Sequence, residues 1–182
     1  MQKISATSNQ PTVALAIPTY GRDIVLIETL KQVFCLDPQP NEILVIDQNK
    51  TYAVDVDYFL AEWSNRGRIR WIKQQPPNLP AARNRALLET TCEIVIFIDD
   101  DVELPRDFVR NHARHYDESS ISAVGGKVIQ PQNFSVVKNP PSGWAPVFDY
   151  KYRKCDSEIS AQGVANFAGG NHSVRVSSIN SI

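Results

Sequence analysis

The stretch IVIFIDDDVELP, residues 94–105, joins an apolar segment to three adjacent carboxylates. Ile94 to Ile98 are apolar and mostly β-branched, which is typical of a strand buried on both faces of a sheet. Asp99 to Asp101 follow directly and repel one another, because two unit charges about 4 Å apart near a protein surface interact by about 4 kcal/mol. Protonation, solvent or a cation must relieve this repulsion, and a bound cation is the hypothesis we favour.

Apolar segments followed by helical patterns recur along the chain. Strands are predicted at TVALAI, EILVID, RIRWIK and IVIFI, which begin at residues 12, 42, 68 and 94. Helices are predicted over 24–36, 53–64 and 80–90, and again after Pro105 to about Tyr116. A right-handed crossover needs a helix between two parallel strands, so both faces of such a sheet are covered. We therefore predict an α/β fold with a Rossmann-like, mostly parallel central sheet and helices on both faces.

The length of 182 residues favours a single domain. We expect a polar N-terminal tail over 1–11 and one domain over 12–182. ISAVGGKVIQ (121–130) is predicted as a further strand, after which the alternating pattern breaks. From Gln130 to Val164 the chain is rich in Pro, Asn and Ser, which indicates an irregular excursion before the last segment.

Charge and cysteine content narrow the classes of function. Lys and Arg number 19 against 20 for Asp and Glu, so the net charge of −1 provides no overall field to attract nucleic acid. The three cysteines are far apart and odd in number, as expected of reduced thiols in a cytoplasmic protein. We find no signal peptide and no apolar run of about 18 residues, so neither export nor membrane spanning is predicted. Peripheral association with a membrane stays open.

The Asp triplet has three interpretations. It is a solvated acidic turn, the DxDx[TV] strand end of haloacid-dehalogenase-like phosphatases, or a DxD clamp in which alternate carboxylates and a divalent ion hold a diphosphate. The phosphatase pattern fits poorly, because Glu103 stands where Thr or Val is required and the strand is the fourth of the chain. Carboxylate oxygens suit Mg²⁺ or Mn²⁺. Spacing alone does not decide between these readings.

Ligands of parallel α/β sheets bind beyond the carboxyl ends of the strands. The polar segments PTYGRD, QQPPN and the Asp triplet, together with Asp47, all follow predicted strands. We therefore expect these loops to converge on one crevice.

Five short motifs, AIPTYGR, LVIDQNK, LPAARNRAL, FIDDDVELP and FAGGNHSVR, occur in the order seen in family 2 nucleotide-sugar glycosyltransferases, which have the GT-A fold. The chain resembles this family from Thr12 to about Ile179. The resemblance implies an enzyme that transfers a sugar from a nucleoside-diphosphate donor, with inversion, to a saccharide or lipid-linked acceptor, and that uses Mn²⁺ or Mg²⁺. It also implies a nucleotide-sugar-binding half over 12–130 and an incomplete acceptor-side half over 131–182.

The resemblance implies roles for residues on the donor side. The first loop, with Pro18, Thr19, Tyr20 and Arg22, would lie against the base and ribose, and Asp47 would accept a hydrogen bond from the base. Arg83 would face the diphosphate, where a guanidinium orients phosphate oxygens. Asp99 and Asp101 would be the outer members of the DxD, with Asp99 near the ribose and Asp101 on the metal, and Asp99 would be the second metal ligand. An alternative alignment makes Asp100 the metal ligand, and Asp100 otherwise belongs to the donor-binding set.

On the acceptor side the same resemblance points to the segment AGGNHSVR. The transferred sugar and acceptor would border Gly169, Gly170, Asn171, His172 and Arg175. His112 and His115 share a predicted helix with Arg110 and Arg114, which favours a solvated face over a metal site.

The general base is the missing part of this reading. In the family it is an Asp a few dozen residues after the GGN segment, whereas here no acidic residue follows Asn171. The weak candidates are Asp149, Asp156 and Glu158. We therefore keep as an alternative a catalytically silent nucleotide-sugar-binding fragment, and more weakly a nucleotidyltransferase of similar architecture.

An uncovered sheet edge and apolar face would favour homo-oligomers.

Overall fold

The computed structural model describes residues 10–128 and 170–179. Its strands are β1 (Val13–Thr19), β2 (Glu42–Asp47), β3 (Arg70–Lys73), β4 (Ile94–Ile98), β5 (Ala123–Gly125) and β6 (Asn171–Arg175). Its helices are α1 (Ile24–Val33), α2 (Val54–Asn65), α3 (Leu79–Glu89), α4 (Phe108–Ala113), which continues into a 3₁₀ turn at Arg114–Asp117, and the short α5 (Val176–Ile179).

The strands form one six-stranded sheet in the order β3-β2-β1-β4-β6-β5. Strands β1 to β4 pair in parallel, whereas β6 is antiparallel to both β4 and β5. The prediction of an α/β, mostly parallel sheet is confirmed. Strand β6 was not predicted, because the segment containing it was interpreted only as part of a site. Among the described residues, the strand predicted over 121–130 pairs only at Ala123–Gly125.

The sheet is covered on both faces, as the buried strand pattern predicts. On one face the alternate residues Leu15, Ile17 and Ile96 pack with α1, α2 and α4. On the other face Ala14 and Ala16 pack with Ala82 and Ala86 of α3, where small side chains allow close helix–sheet contact. The central strands β1 and β4 are therefore buried along their whole length, with polar groups at their carboxyl ends.

Local sequence explains where α3 begins. The side chain of Asn78 accepts a hydrogen bond from the backbone N–H of Ala81 at 2.8 Å, which caps the helix, and Pro80 lies in the first turn. The predicted start at Pro80 is correct to within one residue. Because α3 follows β3, this start lies at the carboxyl edge of the sheet.

Residues 10–126 and 170–179 belong to one compact unit. No helix in the part of the chain that the structure describes is long and apolar enough to cross a membrane. The division of the chain into a tail and two halves stays a prediction.

Burial along β1 predicts a large cost for truncating its side chains. Leu15 is fully buried, whereas Leu88 on α3 is 83% exposed, so Leu15→Ala and Leu88→Ala form a matched pair. We expect Leu15→Ala to lower the free energy of unfolding by about 2–5 kcal/mol, through lost burial and a residual cavity. Leu88→Ala should change it by less than about 0.5 kcal/mol. Urea unfolding followed by circular dichroism measures both, and equal values would contradict the packing described.

Candidate functional site

A cavity of about 470 Å³ lies at the carboxyl ends of the parallel strands. This is the edge at which ligands bind in open α/β sheets, and the volume lies within the usual range for small-molecule sites. The loop after β1, the loop after β2, the start of α3 and the Asp triplet contribute its walls. Its lining residues are Pro18, Tyr20, Arg22, Gln48, Pro77, Asn78, Leu79, Asp99, Asp100 and Asp101.

The three carboxylates of the triplet have different partners. Asp100 is buried, and its Oδ2 accepts a hydrogen bond from Thr19 Oγ1 at 2.6 Å. Its backbone carbonyl accepts a hydrogen bond from Thr29 Oγ1 at 2.8 Å. Asp101 is half exposed and pairs with Arg22, whose Nη2 lies 3.1 Å from Asp101 Oδ2. Asp100 is thus fixed by hydrogen bonds from Thr19 on β1 and Thr29 on α1, whereas Asp101 pairs with the half-exposed side chain of Arg22.

Burial and mutual repulsion act on the triplet together. Desolvation, and then the charge of Asp101, raise the pKa of Asp99, whereas Arg83 and His172 oppose the increase. Desolvation also raises the pKa of Asp100, and the hydrogen bond from Thr19 opposes it. Charge repulsion from Asp101 thus acts on Asp99 and on Asp100, and Arg83 and Arg22 respectively oppose it.

Gly170 lies directly against Asp99. A Cβ atom added at Gly170 would lie 2.1 Å from Asp99 Oδ2 and 2.7 Å from Asp99 Cγ, closer than any real contact of that kind. The absent side chain is what lets β6 approach the carboxylate. The structure therefore brings the predicted residue Gly170 into the site.

Asp47, the predicted base-binding residue, is fully buried and surrounded by donors. Its Oδ1 accepts hydrogen bonds from the backbone and side chain of Asn49 and from the Tyr52 hydroxyl, at 2.8, 3.1 and 3.0 Å. Its Oδ2 accepts from Trp71 Nε1 at 2.7 Å and lies 2.8 Å from Lys73 Nζ. These contacts make Asp47 an anchor for the loop after β2, and its contact with a base stays a prediction.

Gln48 and Asn78 line the cavity, but neither of them was singled out from the sequence as a site residue. The side-chain Oε1 of Gln48 accepts a hydrogen bond from the backbone N–H of Asn78 at 2.6 Å. The backbone carbonyl of Gln48 accepts one from Gln75 Nε2 at 2.7 Å. The signal for them was positional, since Gln48 follows the strand-ending Asp47 and Asn78 ends the QQPPN loop.

Alternation along β6 separates the predicted acceptor-side residues. His172 stacks on Phe97 with ring centroids 5.0 Å apart, on the face that α3 covers, and its charge acts on Asp99. Asn171 and Ser173 point to the opposite face, toward α4. Arg175 lies at the far end of β6 and donates to the carbonyls of the turn before β5, at Tyr116, Glu118 and Ile121. The structure therefore places His172, but not Arg175, near the triplet, and the role of Arg175 stays a prediction.

His112 is buried, so its assignment to a solvated face was wrong. Its Nε2 lies 2.9 Å from Asn171 Oδ1 and its Nδ1 lies 2.9 Å from Ser173 Oγ, which also lies 2.8 Å from the Tyr116 hydroxyl. Because an amide oxygen only accepts, Nε2 carries the proton and Nδ1 accepts from Ser173. The expectation failed because helical periodicity alone does not show that β6 packs against this helix.

The carboxylate oxygens of the triplet suit a divalent cation. Asp99 and Asp101 offer carboxylate oxygens, which Mg²⁺ and Mn²⁺ prefer. Within residues 10–128 and 170–179, no group of three or more His, Cys, Asp or Glu side chains is arranged to hold a metal by itself. A metal held by Asp99 and Asp101 would complete its coordination with water or with oxygens of a ligand. Gly169, Asp149, Asp156 and Glu158 lie outside the described residues.

The mixed six-stranded sheet with helices on both faces is consistent with the GT-A fold, which the similar solved structures share. The chain belongs to glycosyl transferase family 2, whose family model matches residues 14–179.

The chain is also similar to individual glycosyltransferases, of which the solved ones share its fold. The chain is 29% identical over 140 residues to the galactofuranosyltransferase GlfT2 of Mycobacterium tuberculosis. The aligned region covers 70% of this chain and 22% of that protein. A mannosyltransferase from Pyrobaculum calidifontis, solved with GDP-Man and Mn²⁺, has a TM-score of 0.65 at 20% identity, covering 92% of this chain and 45% of that one. GalNAc-T7, solved with UDP, GalNAc and Mn²⁺, has a TM-score of 0.50 at 17% identity, and the match covers 58% of this chain and 21% of that one. The chain thus spans less than half the length of these relatives.

The buried His112 predicts a pH-dependent stability. Burial lowers its pKa from 6.5 to about 4, and the charges of His115 and His172 act in the same direction. Below pH 6.5 the unfolded chain therefore binds a proton that the folded chain does not, so stability falls as the pH falls toward 4. Between pH 7 and pH 4.5 we expect His112 to account for a loss of about 2–3 kcal/mol.

Urea unfolding of the wild type and of His112→Gln at both pH values measures this loss, with the exposed His115→Gln as the control. The loss should shrink in His112→Gln and persist in His115→Gln. An unchanged loss in His112→Gln would show that other groups cause it.

Proposed function

We propose that the cavity binds a nucleoside-diphosphate sugar together with Mn²⁺ or Mg²⁺, and that the chain carries the donor-binding part of an inverting glycosyltransferase. The observation that carries this proposal is the meeting of the triplet with Arg22, Gly170 and the start of α3 at one cavity. The presence of Mn²⁺ and a nucleotide or nucleotide sugar in structures of two similar proteins supports it.

Asp99 and Asp101 are the proposed metal ligands. The buried Asp100 already has one carboxylate oxygen on Thr19, which makes it the poorer candidate and favours the first of the two alignments. A bound divalent cation would supply positive charge beside the leaving diphosphate. The same carboxylates would otherwise repel an anionic donor.

The remaining walls suit the other parts of a nucleotide sugar. Tyr20 is 62% exposed and Leu79 is 44% exposed, and with Pro18 and Pro77 they provide apolar surface for a base and ribose. Arg83, one turn into α3, acts electrostatically on Asp99 and would reach the diphosphate. Its guanidinium would stabilise the charge that develops as the glycosidic bond to the diphosphate breaks.

Sugar transfer also requires a base that removes the proton of the acceptor hydroxyl. The carboxylates that line the cavity, among the described residues, are Asp99, Asp100 and Asp101, which the proposal uses for the donor and the metal. This observation favours the second candidate function, nucleotide-sugar binding without transfer. Donor binding with no transfer to any saccharide or lipid-linked acceptor would distinguish it from the active enzyme.

Nucleotide binding should depend on metal and on Asp101. Calorimetric titration with UDP, GDP and dTDP, each with and without Mn²⁺, should show binding that Mn²⁺ strengthens and that identifies the preferred base. We expect Asp101→Ala to weaken metal-dependent binding at least about tenfold, equivalent to about 1.4 kcal/mol. Asp57→Ala, which removes an exposed carboxylate on α2, is the control and should bind as the wild type does. No binding of any nucleotide to the wild type would contradict the proposed function.

Gly170→Ala should weaken the same binding without removing a charge. The added Cβ would meet Asp99, so either the carboxylate or β6 must move. We expect at least about fivefold weaker Mn²⁺-dependent nucleotide binding, equivalent to about 1 kcal/mol. Gly126→Ala is the comparison, because there the Cβ would meet the side chain of Asn171 on the other face of β6. Equal effects of both substitutions on nucleotide binding would show that contact with Asp99 is not the cause.

A further inference from the structure

We propose that Arg22 is an internal counter-ion of the Asp triplet that competes with a divalent cation for Asp101. This inference rests on the proposed function, since it assigns the metal to that same carboxylate. It gives Arg22 a role in setting metal affinity, beyond the contact with base and ribose that the family resemblance implies.

The contacts of Arg22 place its charge on the triplet. Its Nη2 lies 3.1 Å from Asp101 Oδ2, and its Nε lies 3.9 Å from Asp100 Oδ1. The guanidinium therefore faces two of three mutually repelling carboxylates. One positive charge at this position relieves repulsion that a bound cation would otherwise relieve.

The loop that carries Arg22 is held by the fold. Gly21 has a φ of +69°, a conformation that favours glycine, and its N–H donates to Asn49 Oδ1 at 2.6 Å. Asn49 is in turn bound to the buried Asp47 through its backbone N–H and its side chain. The backbone at Arg22 is thus positioned through the loop after β2, so the approach to Asp101 follows from the architecture.

Asp101 is the carboxylate that can change partners. Asp100 is bound to Thr19 and buried, whereas the side chains of Arg22 and Asp101 are 49% and 45% exposed. A cation that takes Asp101 as a ligand must share or replace the guanidinium. Two positive groups on one carboxylate repel, so the ion and Arg22 compete.

The competition predicts a modest, salt-sensitive effect on metal affinity. An ion pair this exposed contributes little, so we expect Arg22→Gln to bind Mn²⁺ about two- to fivefold more tightly at low ionic strength. The difference should shrink at about 0.5 M salt, because screening weakens the pair. Removal of a metal-binding or purely structural residue would instead leave affinity unchanged or weaken it.

The test is an electron paramagnetic resonance titration of free Mn²⁺ with the full chain, without nucleotide. Arg66→Gln is the matched control, since Arg66 pairs with Glu62 on α2 and its loss changes the net charge equally. Tighter binding by Arg22→Gln than by Arg66→Gln supports the proposal. Equal or weaker binding by Arg22→Gln overturns it, as does the absence of Mn²⁺ binding to both the wild type and Arg22→Gln.

A double-mutant cycle with Asp101→Asn locates the effect. If Arg22 competes at Asp101, Arg22→Gln should no longer tighten Mn²⁺ binding in the Asp101→Asn background. Persistent tightening there would overturn the assignment to Asp101. Calorimetry with UDP, GDP and dTDP separates the two proposals: metal-dependent nucleotide binding by the wild type, without tightening in Arg22→Gln, means that only this inference fails.

Discussion

Repulsion among the three carboxylates at the end of β4 is the constraint around which the site is arranged. The strand is buried, so its carboxyl end delivers Asp99, Asp100 and Asp101 to one place with little solvent on one side. Desolvation and mutual charge raise the pKa of Asp99 and of Asp100. Each carboxylate is then stabilised differently: Asp100 by the Thr19 hydroxyl, Asp101 by Arg22, and Asp99 by the charges of Arg83 and His172.

The loops that supply these partners depend on a second buried carboxylate. Asp47 is inaccessible to solvent and is tied to Asn49, Tyr52, Trp71 and Lys73. A buried carboxylate is costly unless it is hydrogen-bonded and paired, and Asp47 is both. Through Asn49 it orients the turn at Gly21. The positions of the first and second loops are therefore coupled, which places the walls of the cavity relative to the triplet.

Strand β6 provides the opposite side of the site and depends on small and polar contacts. Gly170 allows the chain to pass against Asp99, and the buried chain of Tyr116, Ser173, His112 and Asn171 holds the strand to α4. His172 points to the other face and contributes charge near Asp99. Strand β6 thus contacts the acidic triplet on one side and the buried His112, which is neutral near pH 7, on the other.

The sequence by itself determined the order of β1 to β4 and of helices α1 to α4, the burial of β1 and β4, and the edge of the sheet at which the site lies. These follow from local periodicity and from the geometry of parallel crossovers, which short segments encode. The motif order also identified the family that the family model confirms.

Only the tertiary structure decided that β6 inserts antiparallel between β4 and β5, and that His112 and Asp47 are buried. It also decided that Thr19 and Arg22 contact the carboxylates of Asp100 and Asp101 and that Gly170 lies against Asp99. These contacts join residues far apart in the chain, such as Thr19 and Asp100, separated by 81 positions. No local pattern reports such a pairing, because it depends on how distant segments pack.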